Sequence, residues 1–243
     1  MTSRLLLAVL LLAPAAHAAK KKAAAPAPAP LPSFAVSSAP ITLELVAARF
    51  KTFDASLKTL QAGVRQFVRL EGSDTVQSVE GDVSFKKPDL LRLVHRIPEP
   101  QTVVSDGTWL WVHRHSTKQV IQTRLDAWRK SEPLAQGLMD FGKSADLLTR
   151  YDAVLSTVTA PGPDGYRRFE VTLKPKDKKD GDADFDLVLK ASEKDYFPAE
   201  AVLRVGRARI RSLFENVRYN PELPDAEFRF SPPMDADVFQ SHD

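Results

Sequence analysis

Residues 81–125 read GDVSFKKPDLLRLVHRIPEPQTVVSDGTWLWVHRHSTKQVIQTRL, and this stretch decides the fold. Nearly every apolar residue in it recurs at period two, the spacing that puts alternate side chains on one face of a strand. Val83 and Phe85 share one face of a first strand, and Leu91 and Leu93 share one face of a second. Pro88, within Lys86-Lys87-Pro88-Asp89, separates them, because proline fixes its own φ and has no N–H for a ladder. Ser105-Asp106-Gly107 marks a tight turn, since glycine tolerates the positive φ that such a turn requires. The strand after it carries Trp109, Trp111 and His113 on one side and Leu110 and Val112 on the other. Both faces are largely apolar, so both are expected to be covered or filled.

Outward from this stretch the period changes. Leu43, Val46, Phe50, Phe53, Leu57 and Leu60 alternate spacings of three and four, which predicts one amphipathic helix lying across a sheet, with Ser38 as its N-cap, Pro40 in its first turn and Gly63 past its end. A coiled coil would need a longer pattern flanked by partner charges. Residues 61–70 and 75–85 then read as a hairpin. A second helical region is predicted over residues 133–150, with Leu134, Leu138, Phe141, Ala145 and Leu148 as its stripe and Gly142 interrupting it. Further strands are expected at 166–174, 185–190, 198–205, 209–219 and 227–231. The order helix, strands, helix, strands predicts a mostly β (α+β) fold. We expect a single highly curved antiparallel sheet or unclosed barrel of about eleven strands, with a helical lid.

The N-terminus is a separate matter. Arg4, an apolar run over residues 5–13 and Ala16-His17-Ala18 have the three parts of a secretory signal peptide, expected to be cleaved after Ala18. The run is far shorter than the roughly 20 residues that span a bilayer. There is no cysteine, so the signal is not of the lipid-anchored kind, and a soluble periplasmic protein without disulfides is expected. Residues 19–39 are an Ala/Pro-rich linker unable to bury a core, and the functional domain is assigned to 40–243. The net charge is +3, and Arg4, Lys20, Lys21 and Lys22 are the only charges before Pro40; without those four cations the remainder stands at −1. The basic balance therefore gives no support to a nucleic-acid partner.

Several strings of letters suggest chemistry that their context denies. Residues 137–144, GLMDFGKS, match the phosphate-loop pattern, but no buried strand precedes them and Leu138, Met139 and Phe141 fit a helix stripe instead. His113 and His115 point to one face of a strand without further ligands for a metal. Residues 180–186, DGDADFD, lack the glycine and glutamate of a calcium loop, having Phe185 and Ala191 there. Ser84 and Lys87 form an S-x-x-K string, but in a strand rather than at a helix start. No enzyme signature, metal or cofactor is predicted.

In order and spacing, KKPDLLRL, PEPQ, VVSDGTWLWV and KQV, with FRFSPP near the end, resemble the periplasmic outer-membrane lipoprotein carrier family, LolA, from about Ala39 to Phe239. The resemblance implies an unclosed barrel whose inner face and lid helices line a hydrophobic cavity for acyl chains. It implies a monomeric carrier that receives cargo from an inner-membrane ABC transporter (LolCDE-like) and delivers it to an outer-membrane acceptor (LolB-like). Cavity residues carried over on this basis are Phe50, Phe53, Val83, Phe85, Leu91, Leu93, Trp111, Leu134 and Leu138. Leu91 and Leu93 match positions that are aromatic in many members, which implies a differently shaped pocket. Lys87 matches a position usually held by arginine, where it resembles a latch donating from the strand to backbone carbonyls of the lid; lysine keeps the charge without the planar fork. Lys86 is expected to point outward. The alternatives are a same-fold carrier of another lipid or glycolipid, or an RseB-like sensor.

Overall fold

The computed structural model describes residues 34, 38–131, 141–176 and 185–241. The first helix, α1 (Leu43–Ser56), buries Val46, Phe50 and Phe53, as their spacing predicts. Its N-cap is Thr42 rather than Ser38: the threonine hydroxyl accepts the N–H of Leu45 at 3.2 Å, satisfying one of the first-turn donors. The helix also ends earlier than the stripe suggests. Leu57 is already extended, and Leu60 lies in β1 (Thr59–Leu70), so the same apolar series passes from helix to strand without leaving the core.

Twelve strands form one sheet among the described residues: β2 (Val76–Lys86), β3 (Leu90–Ile97), β4 (Gln101–Asp106), β5 (Trp109–Arg114) and β6 (Gln119–Arg124) follow β1 as a meander. On its other side β1 pairs with β11 (Ala208–Tyr219), continuing through β10 (Glu200–Val205), β9 (Phe185–Ser192), β8 (Arg168–Pro175) and β7 (Tyr151–Val158). The last strand, β12 (Asp237–Gln240), adds to β6 in parallel; every other pairing is antiparallel. β7 and β12 are the two edges, so the sheet curls without closing. Register shifts at Gln61/Gly63 and Glu80/Gly81 bend the central strands. Glycine is required at 81, where a Cβ would stand 2.4 Å from the Val94 carbonyl oxygen.

Three expectations need correction. Residues 227–231 are not a strand: a 3-10 turn (Asp225–Phe228) buries Phe228 against the sheet's outer face near β3 and β4, a single anchored side chain needing no ladder. β7 and β12 were not among the expected strands; both are edges, and their exposed alternate positions carry a weaker apolar pattern. The second helical region starts earlier, as α2 (Leu125–Ser131), and is completed by α3 (Ser144–Arg150). Leu134 and Leu138 lie outside the described residues, as do residues 137–140 of the phosphate-loop string and 180–184 of the acidic one.

The concave face holds the core in three contiguous parts. Phe50, Phe169, Val171 and Leu173 pack beneath α1, with Leu147 of α3 beside them. Phe53, Leu57, Leu60, Val83, Phe85, Leu91, Phe141 and Phe197 fill the middle. Leu110 and Val103 meet Leu125 and Trp128 of α2 at the far end, and half-buried Leu93 touches both of the last two clusters. The chain entering α1 is tied down by Arg167, which grips Glu193 at 2.7 and 2.6 Å and donates to the Ala39 carbonyl at 2.8 Å.

Candidate functional site

The helical pieces meet the sheet at the turn between β2 and β3, and the polar groups of that turn hold them. Lys87 Nζ donates to the carbonyl oxygen of Asp54, near the C-terminal end of α1, where carbonyls lack intrahelical partners and the dipole favours a cation. Asp54 in turn accepts the N–H of Ala145, in the first turn of α3, through Oδ2 at 2.8 Å. One residue thus joins the strand-side lysine, the end of α1 and the start of α3. The side chain of Asp54 is buried, and its Oδ1 has no hydrogen-bond partner among the described residues. Burial pushes its carboxyl pKa up, with the N–H groups of Ala145 and Ser144 and the charge of Lys87 opposing. Burial likewise pushes the Lys87 ammonium down, partly countered by Asp54.

A second clasp lies two residues on. Asp89 accepts from Arg129 of α2 at 2.5 Å and from Lys143, just before α3, at 3.4 Å. Burial acts to raise the Asp89 pKa, but Arg129 and then Lys143 hold it below the ordinary value. Its carbonyl accepts the Ser105 hydroxyl at 2.9 Å, which fixes the turn against β4. Gly142, at φ +72°, lets the backbone pass Lys87: a Cβ there would lie 2.8 Å from Lys87 Cε and 3.2 Å from Leu57 Cδ2.

Phe85, Leu91, Leu110, Leu125, Trp128 and Phe141 line a partly open space of about 20 Å³, room for roughly one water, with Asp89, Arg129 and Lys143 at its polar side. Phe141 packs on Phe85 at 5.6 Å and on Phe214 at 5.4 Å, plugging the middle.

Of the residues expected to line a cavity, Phe50, Phe53, Val83, Phe85 and Leu91 are buried on the concave face, and Leu93 is half-buried there. Trp111 is the exception. Residues directly opposite in a ladder share a face; Trp111 pairs with Val104, which pairs with Arg92, which pairs with Ser84, all on the convex side. There Trp111 packs on Phe230 in a tilted arrangement, ring centroids 6.0 Å apart. Leu110 and Val112 take the inward positions of β5. The C-terminal segment crosses the convex side of β5 and covers Trp111, which answers why both faces of β5 are apolar.

The same crossing explains the other polar strings. Ser84 donates to Glu227 at 2.7 Å on the convex face, while Lys87 turns toward the helices, so the two never meet. Lys86 faces outward, donating to the Leu223 carbonyl at 3.0 Å and pairing with Asp225 at 2.5 Å. His113 and His115 stack at 4.2 Å, and His115 Nε2 meets the Thr102 hydroxyl at 2.9 Å. Asp54, Asp89, Arg129 and Lys143 were not anticipated. Asp89 stood within the KKPD string, but Asp54 had only its helix position to mark it.

A family model described as outer membrane lipoprotein carrier protein LolA matches residues 55–231. The outer-membrane lipoprotein carrier protein of Nitrosospira multiformis is 29% identical over 197 residues, covering 77% of this chain and 85% of that one. That of Dechloromonas aromatica is 30% identical over 190 residues, covering 76% and 83%. Among solved structures, a LolA superfamily protein from Nitrosomonas europaea matches with TM-score 0.42 and 14% identity, over 79% of this chain and 99% of that one.

Proposed function

Given that the chain belongs to the LolA family of outer-membrane lipoprotein carriers, we propose that it carries lipoproteins across the periplasm with their acyl chains held between the sheet and the helices. Residues 1–18 direct it there as a cleaved signal peptide, and residues 19–39 link that signal to the carrier domain, 40–243. Cargo enters from an inner-membrane ABC transporter and leaves at an outer-membrane acceptor. The relatives are named as carriers, not enzymes, and non-covalent binding is the activity assigned.

The observation that carries this reading is the apolar concave face covered by helices that two polar clasps fasten at the β2–β3 turn. A space of about 20 Å³ is too small for an acyl chain, so cargo held there displaces Phe141 or Trp128 as the clasps open. Phe53, Phe85, Leu91 and Leu93 then form the wall that chains would meet. Burying a methylene is worth about 0.8 kcal/mol, so one chain is worth on the order of ten. Several chains buried perfectly would never leave on a useful time scale. A closed state that is favoured when empty opposes retention, and Lys87 supplies part of that bias.

Native mass spectrometry of the protein drawn from periplasm, with solvent extraction of its load, tests the proposal. A bound triacylated lipopeptide is expected. A glycolipid instead would reassign the cargo, and a repeatedly empty protein that also refuses a fluorescent fatty acid would overturn carriage.

A further inference from the structure

Charges on the convex face follow two patterns, row by row across the strands. One row reads Glu80, Arg65, Leu213, Glu200, Lys190 and Glu170 from β2 through β1, β11, β10 and β9 to β8, with signs alternating on either side of Leu213. It is held by ion pairs of Lys190 with Glu170 at 3.2 Å and with Glu200 at 3.4 Å, and Arg211 of the next row adds a pair to Glu200 at 2.8 Å. The last full row, four residues further along β1, reads Val76, Arg69, Arg209, Arg204 and Asp186. Three arginines stand directly opposite one another on adjacent strands.

Like charges directly opposite in a ladder are destabilising. All three are exposed, and Arg207 adds a fourth guanidinium in the turn between β10 and β11. Only Arg204 is compensated, by Asp186 at 3.1 Å; among the described residues Arg69, Arg207 and Arg209 form no ion pair. Glu71 and Asp74, in the adjacent β1–β2 turn, do not pair with them either. The two turns are fastened together: the Glu71 N–H donates to the Arg207 carbonyl, and Arg207 Nη2 donates to the Glu71 carbonyl, each at 2.8 Å. Large aliphatic side chains also stand in water here, Leu70 at 48% exposure and Val76 at 50%. Folding alone rewards neither feature.

We infer that this arginine row, with Leu70 and Val76, is a docking surface for the anionic headgroups of a membrane. Neighbouring strands lie about 4.8 Å apart, so the row spreads three guanidinium groups over roughly 10 Å, the scale of adjacent lipid headgroups. Arginine pairs with phosphate through its planar fork, and flanking aliphatic groups enter the acyl boundary, the combination by which peripheral proteins hold to anionic bilayers. An acidic protein would match the arginines but leave the two aliphatic residues without a role. The surface is the end of the sheet remote from the β2–β3 turn, with the arginines and Val76 on its convex side and Leu70 at its concave rim, so it docks the protein without using the clasped helices.

Cosedimentation of the mature protein with phosphatidylglycerol-containing vesicles, against pure phosphatidylcholine, tests this. Binding is expected to the anionic vesicles only, and to vanish at about 0.5 M salt, where the Debye length falls to a few ångströms. Arg69→Gln with Arg209→Gln should weaken it about thirtyfold, at roughly one cation's share per residue, without lowering Tm or fatty-acid uptake. Equal binding to neutral vesicles, unchanged binding by the double variant, or capture by an acidic polypeptide with none by vesicles would each overturn it. Because uptake is read separately, failure here leaves the carrier proposal standing.

Discussion

Lys87 reaches from the end of β2 to the backbone carbonyl of Asp54, while the carboxylate of that same aspartate holds the first turn of α3. A strand, the C-terminus of one helix and the N-terminus of another therefore depend on two side chains. Both contacts are polar and add to the apolar packing of Phe50, Phe53 and Leu147, which also holds these helices on the sheet.

Lys87→Leu removes a charge-assisted hydrogen bond, a contribution of about 1.5–3 kcal/mol to the closed state. The variant is expected to take up a fluorescent fatty acid normally and to hand it to acceptor vesicles at least tenfold more slowly. Lys87→Arg should restore transfer, since arginine also donates to a carbonyl. Normal transfer by the leucine variant would remove the latch.

Asp54 gives a pH signature. Its folded pKa lies above 3.8, so the folded state binds the extra proton and burial of this carboxylate costs stability as it ionises. The cost is absent below 3.8, grows as pH rises to the folded value, and is constant above it. Asp54→Asn keeps an acceptor for the Ala145 N–H but cannot ionise. The Tm difference, variant minus parent, should therefore climb over that window and then level; a flat difference across the acid range refutes the assignment.

Asp89 has the opposite sign. Its folded pKa is depressed by Arg129 and Lys143, so its stabilisation is present above 3.8 and lost as pH falls through the folded value. Asp89→Asn should loosen both clasped helix ends at neutral pH, by about 1–3 kcal/mol. Faster hydrogen exchange confined to α2 and α3, with faster fatty-acid uptake, is the expected readout. Exchange that rises equally in β1 and β2 would mean the residue serves the whole fold.

Phe85 and Trp111 separate the two faces. Phe85→Ala should cost the empty protein about 3–5 kcal/mol and strengthen lipid binding, because the space it opens lies where chains go. Trp111→Ala should destabilise through lost packing on Phe230 and leave lipid affinity unchanged. If both variants bind lipid alike, the concave face is an ordinary core.

The amino-acid order by itself determined the central strands, the first helix and most of their faces. Period-two runs over Val83–Phe85 and Leu91–Leu93, the Pro88 break, the glycine turn at 107 and the stripe through Val46, Phe50 and Phe53 each act over a few neighbours, and such local constraints are written in local sequence. Lys87 was singled out only by the family resemblance, which did not name Asp54 as its partner. Tertiary structure alone decided the side of β5 that faces inward, because both faces are apolar and only the arrival of Phe230, more than a hundred residues later, buries Trp111 outside. It also decided the partners of Asp54 and Asp89 and the three arginines standing in one row. These depend on how distant strands and helices meet, and a carboxylate in a helix or an arginine in a strand carries no mark of what will stand opposite it.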